Sequence, residues 1–342
     1  MIVVTGGAGF IGSNLIAALN VAGEDKIILV DDLTDTNKIQ HINDLRITDY
    51  LDKDDFRRLL SSSGIPTGVE AVFHQGACSD TMVSDGKYVM DVNYEYSKIV
   101  LHACADSETP LIYASSASVY GRHGPFVESL ENEHPLNAYA FSKALFDRYA
   151  FEEGRQPSAQ RVGLRYFNVY GPRETHKGRM ASVVWHLTHQ YFGSGSVRLF
   201  EGGGGYDAGE QRRDFIHVDD VVRANLFFLQ NPDRSGIFNV GTGRSRSFND
   251  VALAVINACR RVDGDSALTL IEAQRDGRLN YFPMPDALQG KYQSFTEAAI
   301  EKLETVGCSG PWMDVEEGVD HYAAQLYSSL LEGGGDAPVQ SR

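Results

Sequence analysis

Apolar and polar positions alternate in two periods along the first half of the chain. Residues 2–5 (IVVT) form a short apolar, β-branched run, the pattern of a strand buried on both faces. The following SNLIAALNVAG carries apolar residues at helical spacing. Strand signals recur at residues 26–31 (KIILVD), 45–49, 69–74 (VEAVFH), 110–114 (PLIYA, running into Ser115 and Ser116) and 162–166. Between them, residues 53–63 predict an amphipathic helix and residues 85–106 one long helix. Pro135-Leu136-Asn137 opens another helix, which carries Tyr139 and Lys143. Strands alternating with helices predict an α/β fold: a doubly wound parallel sheet with right-handed crossovers.

Beyond Gly171-Pro172 the alternation weakens. Residues 202–209 are glycine-rich and predict a loop. Regular structure resumes over residues 212–222, with a helix to Leu229; a strand and turn follow at 236–243 and a helix at 248–261. The expected organisation is a domain over residues 1–170, to which residues 213–243 return, and a smaller C-terminal α/β domain over residues 171–330. The glycine-rich end, residues 333–342, reads as a disordered tail.

Gly6, Gly7, Gly9 and Gly12 lie where the first strand turns into the first helix. Gly7, Gly9 and Gly12 match GxGxxG, and Gly6, Gly9 and Gly12 match GxxGxxG. Glycine permits the tight turn and lets backbone approach a pyrophosphate, while the helix N-terminus favours the anion. This is the signature of a Rossmann-type dinucleotide site. Asp31 ends the second strand about 20 residues on, where an acid can bind the adenosine ribose. Asp31 and Asp32 together favour NAD over NADP, because an anion there repels a 2′-phosphate; Lys38 argues the opposite way, so these residues leave the preference open.

Composition narrows the classes. A chain of 342 residues, 42% hydrophobic, suits one large or two modest domains with a sizeable core. The absence of an ~18-residue apolar run argues against a membrane span, and no charged segment precedes the first apolar stretch as a secretory signal would require. Cys78, Cys104, Cys259 and Cys308 form no metal-binding spacing and read as free thiols in a reducing cytoplasm. Cys78 reads as a close-packing residue rather than a nucleophile. A net charge of −15 has the wrong sign for a nucleic-acid binder. Cations nonetheless cluster at Arg173, Lys177 and Arg179, at Arg212 and Arg213, and at Arg244 and Arg246, consistent with a small anionic ligand in one cleft.

Tyr139 and Lys143, four apart, share a helix face. An ammonium beside the phenol, with a nicotinamide cation, would lower the tyrosine from its reference pKa of about 10. The phenolate can then take a hydroxyl proton while hydride leaves the same carbon. Ser116, at the tip of the fifth strand, can hydrogen-bond the reacting oxygen, and Lys143 can also hold the nicotinamide ribose.

TGGAGFIG, Asp31, SSASVYG (residues 115–121), YAFSK (139–143) and RYFNVYGPR (165–173) resemble the extended short-chain dehydrogenase/reductase superfamily over nearly the whole chain. FHQGACSDT, DGKYVMDVNYEYSK, PRETHKGRMASV and FPMPDALQGKYQSFT are similar to its ADP-heptose 6-epimerase family. The resemblance implies a tightly held NADP and an ADP-heptose substrate, with inversion at the sixth carbon of the heptose through a transient ketone, for the inner core of lipopolysaccharide. It implies two acid/base groups, Tyr139 and Lys177, assisted by Ser116 and Lys143. Cofactor contacts implied are Gly6, Gly9, Phe10, Ile11, Gly12, Asp31, Asp32, Lys38, Lys53, Gln75, Gly76, Ala77, Cys78, Ser79, Asn93, Lys143 and Val169. Substrate contacts implied are Asn168, Arg179, His186, Phe200, Glu201, Gly202, Gly203, Arg213 and Tyr292. No metal is implied, and the assembly implied is a homopentamer. Asp32, Gln75, Val92, Arg179 and the length of the 202–211 loop depart from the family pattern. Ala117 and Ser118 replace the Asp-Glu pair of a 4,6-dehydratase. A 4-epimerase and a non-catalytic nucleotide sensor are the alternatives; the Lys177 loop argues against the first, and the retained Tyr/Lys pair against the second.

Overall fold

The computed structural model describes residues 1–122, 124–152, 159–285 and 293–333. Its strands, in chain order, are β1 Ile2–Thr5, β2 Ile27–Asp31, β3 Asp49–Asp52, β4 Ala71–His74, β5 Leu111–Ser116, β6 Arg161–Tyr166, β7 Asn168–Tyr170, β8 Val197–Phe200, β9 Arg212–His217, β10 Gly236–Val240, β11 Ser245–Ser247 and β12 Leu279–Phe282. Seven of them form a parallel sheet in the order β10-β6-β5-β4-β1-β2-β3. The chain leaves β1 towards β2 on one side and returns to β4 on the other. That reversal opens a crevice at the carboxyl end of β1, where ligands of such sheets bind.

Successive residues of β1 explain its burial. Ile2 and Val4 pack with Leu15, Ile16 and Leu19 of the helix Phe10–Val21 and with Val221, Val222 and Phe228 of the helix Val218–Gln230. Val3 faces the other way, against Phe56 and Leu60, Val100, and Phe146 of the helices Lys53–Ser63, Tyr96–Asp106 and Ala138–Ala150. The strand period of two thus feeds two cores, so no polar position is tolerated in its middle. A separate core joins the helices Val183–Ser194, Phe248–Val262 and Val315–Glu332 to β8, β9 and β12.

Two expected elements are corrected. The third strand is Asp49–Asp52, not residues 45–49, with Asp49 paired to Ile28 and Asp52 to Asp31. Leu45 and Ile47 supplied the apolar signal, but they pack from a loop against the sheet. The helix expected over residues 85–106 is divided: Gly86–Met90, a π-turn at Asp91–Glu95, then Tyr96–Asp106. A π-turn accommodates one extra residue and re-aims its side chains, and buried Asn93 lies within it. The tail expected at residues 333–342 lies, except for Gly333, outside the described residues.

Candidate active site

The turn after β1 requires its glycines. Gly6 has φ of 67°, and a Cβ there would lie 2.6 Å from the Gly76 nitrogen. A Cβ on Gly12 would lie 2.1 Å from the Gly6 carbonyl oxygen. Gly9 precedes the helix Phe10–Val21 with no side-chain cap. The backbone is therefore bare where a helix N-terminus attracts an anion.

The rim beyond β2 is tightly paired. The Asp31 carboxylate accepts from the Ala8 N–H at 2.8 Å and from Lys38 Nζ at 2.8 Å. Lys38 also donates to the Asp32 carbonyl, at 2.8 Å. Lys53 hydrogen-bonds the Asp32 side chain, which holds that carboxyl well below the usual carboxylate range. The acids are thereby neutralised by two ammonium groups.

The turn after β4 is held by side chains from neighbouring elements. Thr5 Oγ1 accepts from the Gly76 N–H at 3.2 Å. Asn93 accepts from the Cys78 N–H at 2.8 Å, returns its amide to the Cys78 carbonyl at 3.1 Å and reaches Ser142 Oγ at 3.1 Å. Tyr166 donates to Gln75 Oε1 at 3.0 Å, and Gln75 donates to Asn225 at 3.1 Å. Burial pushes the Cys78 thiol up, consistent with a packing residue.

Asn137 caps the helix Ala138–Ala150, accepting from the Ala140 N–H at 2.8 Å. This fixes the start of the turn that carries Tyr139. The phenol shares a hydrogen bond with Ser116. Lys143 is buried and donates to the Ala114 carbonyl at 2.8 Å; burial pushes it down to about 8. In the protein alone, burial raises the Tyr139 phenol, and the Ser116 bond opposes that shift only in part. Desolvation of the phenolate is the larger effect, as burial of an acid dictates.

One turn further along this helix, Asp147 accepts from Tyr113 at 3.0 Å, Ser115 at 2.8 Å and Arg165 Nε at 2.9 Å. Arg165 also reaches Glu133 and, at 3.1 Å, the Tyr120 hydroxyl. This buried network ties the helix to β5 and β6.

Lys177 lies on the short turn Thr175–Met180. Its ammonium sits 4.9 Å from the centre of the Phe10 ring, and burial pushes it below the ordinary lysine value, opposed by Glu174. Arg173 anchors the loop to Asp44 at 2.6 Å.

These elements enclose one cleft of about 630 Å³. It is lined by all the expected acid/base group, Tyr139, Lys177, Ser116 and Lys143, and by every expected cofactor residue except Asn93, which acts on it through Cys78. Of the expected substrate residues, Arg179 lines it, paired with Asp80 at 2.6 Å. The others do not. Asn168 is exposed on β7, and His186 lies 3.4 Å from the Arg179 carbonyl. Phe200 to Gly203 end β8 and begin the glycine-rich loop, and Arg213 is buried on β9. Tyr292 lies outside the described residues. The sequence reading missed His176, Thr5 and Tyr166 on the cleft, and Glu174 behind it. His176 and Glu174 belong to the quoted PRETHKGRMASV stretch; Thr5 and Tyr166 had only their strand-end positions to mark them.

A glycine turn, a tyrosine–lysine pair and a strand-end serine at the carboxyl edge of a doubly wound sheet define an enzyme of the short-chain dehydrogenase type, built for a nicotinamide dinucleotide. Sequence comparison gives the narrower class. The chain belongs to the NAD dependent epimerase/dehydratase family, whose model matches residues 2–241. It is 54% identical over 327 residues, 96% of this chain and 98% of the relative, to an ADP-L-glycero-D-manno-heptose-6-epimerase of Thiobacillus denitrificans. The crystal structure of the Helicobacter pylori ADP-L-glycero-D-manno-heptose-6-epimerase matches with a TM-score of 0.78 and 30% identity, over 96% of each chain. A Thermus thermophilus UDP-glucose 4-epimerase in complex with NAD matches with a TM-score of 0.70 and 26% identity, over 94% of this chain and 98% of that one. Among the described residues, no helix is long and apolar enough to cross a membrane.

Proposed function

We propose that this enzyme interconverts ADP-D-glycero- and ADP-L-glycero-D-manno-heptose by inversion at the sixth carbon. The observation that carries the reading is that Tyr139 and Lys177, from segments far apart in sequence, line the same cleft as the glycine turn. Identity to a heptose epimerase along nearly the whole chain supports the substrate.

A bound nicotinamide would supply reversible hydride acceptance at the sugar carbon. The chain supplies the remainder. Tyr139 exchanges the hydroxyl proton of one epimer, and Ser116 hydrogen-bonds the reacting oxygen. Lys143 supports the phenol and binds the nicotinamide ribose. Lys177 exchanges the proton for the other epimer, because inversion moves the hydroxyl to a second position. A lysine serves as such a group when burial brings its pKa down. In the proposed division of labour, residues 1–170 with 213–243 hold the cofactor and residues 171–330 mainly grip the nucleotide sugar. Asn168, Arg179, His186, Phe200, Glu201, Gly202, Gly203, Arg213 and Tyr292 are assigned to that grip, with Arg213 as a two-pronged diphosphate partner. Among the described members of this group, Arg179 alone lines the cleft.

The proposed cofactor is NADP. Asp31 and Asp32 are already paired with Lys38 and Lys53, which cancels the anionic character that would repel a 2′-phosphate. The proposed setting is a cytoplasmic homopentamer supplying heptose for lipopolysaccharide; light scattering tests the assembly.

The deciding experiment incubates the protein with either ADP-heptose epimer and follows their ratio by NMR. Approach to one equilibrium ratio from both sides is expected. No conversion by the wild type, or full conversion by a Tyr139→Phe, Lys177→Met double variant, overturns the reading. Mass spectrometry of the nucleotide released on denaturation separates NADP from NAD.

A further inference from the structure

We infer that Glu174 is a positioning residue for Lys177: its carboxylate clasps the base of the lysine's loop and fixes it to the C-terminal helix. The inference rests on the proposed acid/base role of Lys177.

Glu174 is completely buried and receives three donors. Its Oε2 accepts from the Ser182 N–H at 2.6 Å. Its Oε1 accepts from Ser182 Oγ at 2.6 Å and from the Tyr322 hydroxyl at 3.1 Å. The direction of the serine bond follows from its surroundings. Ser182 caps the helix Val183–Ser194, and its Oγ already accepts from the Trp185 N–H at 3.2 Å. Its proton is left for the glutamate. Burial pushes the Glu174 carboxyl up; the Lys177 charge and the bonds from Ser182 and Tyr322 oppose that shift, and a group served only by donors beside a helix N-terminus suits a carboxylate.

The clasp joins residues 174 and 182, so Lys177 lies on the closed loop between them. The Lys177 N–H itself donates to the Glu174 carbonyl at 3.0 Å. Tyr322 reaches the carboxylate from the helix Val315–Glu332, 148 residues away in the chain. A helix of the C-terminal core therefore sets the place of a group in the dinucleotide cleft.

The same carboxylate acts on the lysine's charge. Burial drives Lys177 down, and Glu174 is the charge opposing it. His176 and His186 also act with Lys177, and burial drives both below the ordinary histidine value, so they are neutral near pH 7. Tyr322 stays a phenol, pushed up by burial and by the carboxylate. Glu174 thus holds the Lys177 ammonium above the level to which burial alone would push it.

The test reads Lys177 directly. Reductive methylation across a pH series, quantified by mass spectrometry on the protein with its co-purified nucleotide, gives the midpoint at which Lys177 becomes reactive. In Glu174→Gln the midpoint moves down by about one unit, as expected for loss of a neighbouring opposite charge, and the alkaline limb of kcat follows it. In Glu174→Asp, which keeps the charge, the midpoint returns towards the wild-type value. Tyr322→Phe leaves the charge and removes the pin: kcat falls about fivefold, the cost of one hydrogen bond, with KM unmoved. An unmoved Lys177 midpoint in Glu174→Gln, or an unchanged kcat in Tyr322→Phe, overturns the inference. If Lys177→Met epimerises at the wild-type rate, the underlying role of Lys177 fails instead.

Discussion

Tyr139 and Lys143 show how burial and charge compete at a single group. Burial lifts the phenol and drops the ammonium to about 8. For Lys143 the consequence has a definite sign. Its pKa in the folded protein lies below the reference of about 10.4, so the unfolded chain binds more protons between those values. Nucleotide-free wild type should therefore gain stability relative to Lys143→Met as pH rises from 8 towards 10; urea denaturation at pH 7.5 and 9.5 reads the difference. For Tyr139→Phe, the expected loss in epimerisation rate is about 10²- to 10⁴-fold, the usual contribution of a positioned acid/base. The melting temperature and nucleotide content should stay at the wild-type values, because the ring remains in place. The pair was legible in the sequence because four residues make one helical turn. The phenol's own shift was not legible, since it depends on how much water the folded chain excludes.

Elements, rather than residues, hold the cleft's shape. The turn between β1 and its helix has no room for a side chain: in Gly12→Ala, the added methyl meets the Gly6 carbonyl. Loss of the bound nucleotide is the expected outcome, read from the absorbance ratio of the purified protein. The helix Ala138–Ala150 is fixed by Arg165, whose guanidinium serves Asp147 and Glu133 with 1% of its side chain exposed. Arg165→Met leaves the buried Asp147 carboxylate without its hydrogen-bonded cation and leaves Glu133 with Arg148 alone. Breaking such a pair costs about 3–5 kcal/mol, to be read from urea denaturation. The element order was largely legible, because strand and helix periods differ. Two details were not. β3 is chosen by pairing with β2 rather than by its own apolar content, and the π-turn at Asp91–Glu95 has no local composition to announce it.

At the scale of the molecule, dinucleotide binding and folding are linked. The cleft is built from the ends of β1, β2, β4 and β5 with the Thr175–Met180 loop. A nucleotide bound only by the folded form stabilises it, by about 2.7 kcal/mol at a hundredfold excess over Kd. Calorimetry should show a higher melting temperature when NADP is added to stripped protein, and no such rise for Gly12→Ala. A larger rise with NAD than with NADP counts against the proposed cofactor. Residues expected to hold the sugar nucleotide, such as Phe200 and Arg213, lie away from this cleft in the C-terminal half. Their positions followed from family resemblance, and no local spacing relates them to Tyr139.

The sequence by itself determined the parallel sheet, the glycine turn and the tyrosine–lysine pair, since each is written in short-range spacing: two for a strand, about four for a helix face, and steric need at a tight turn. Tertiary structure alone decided which distant segments meet. Lys177 rests on Phe10, Arg179 pairs with Asp80, and Tyr322 reaches Glu174. Such partners lie too far apart in the chain for any periodicity to couple them. They come together only because burying the apolar faces leaves these polar groups one another to bond.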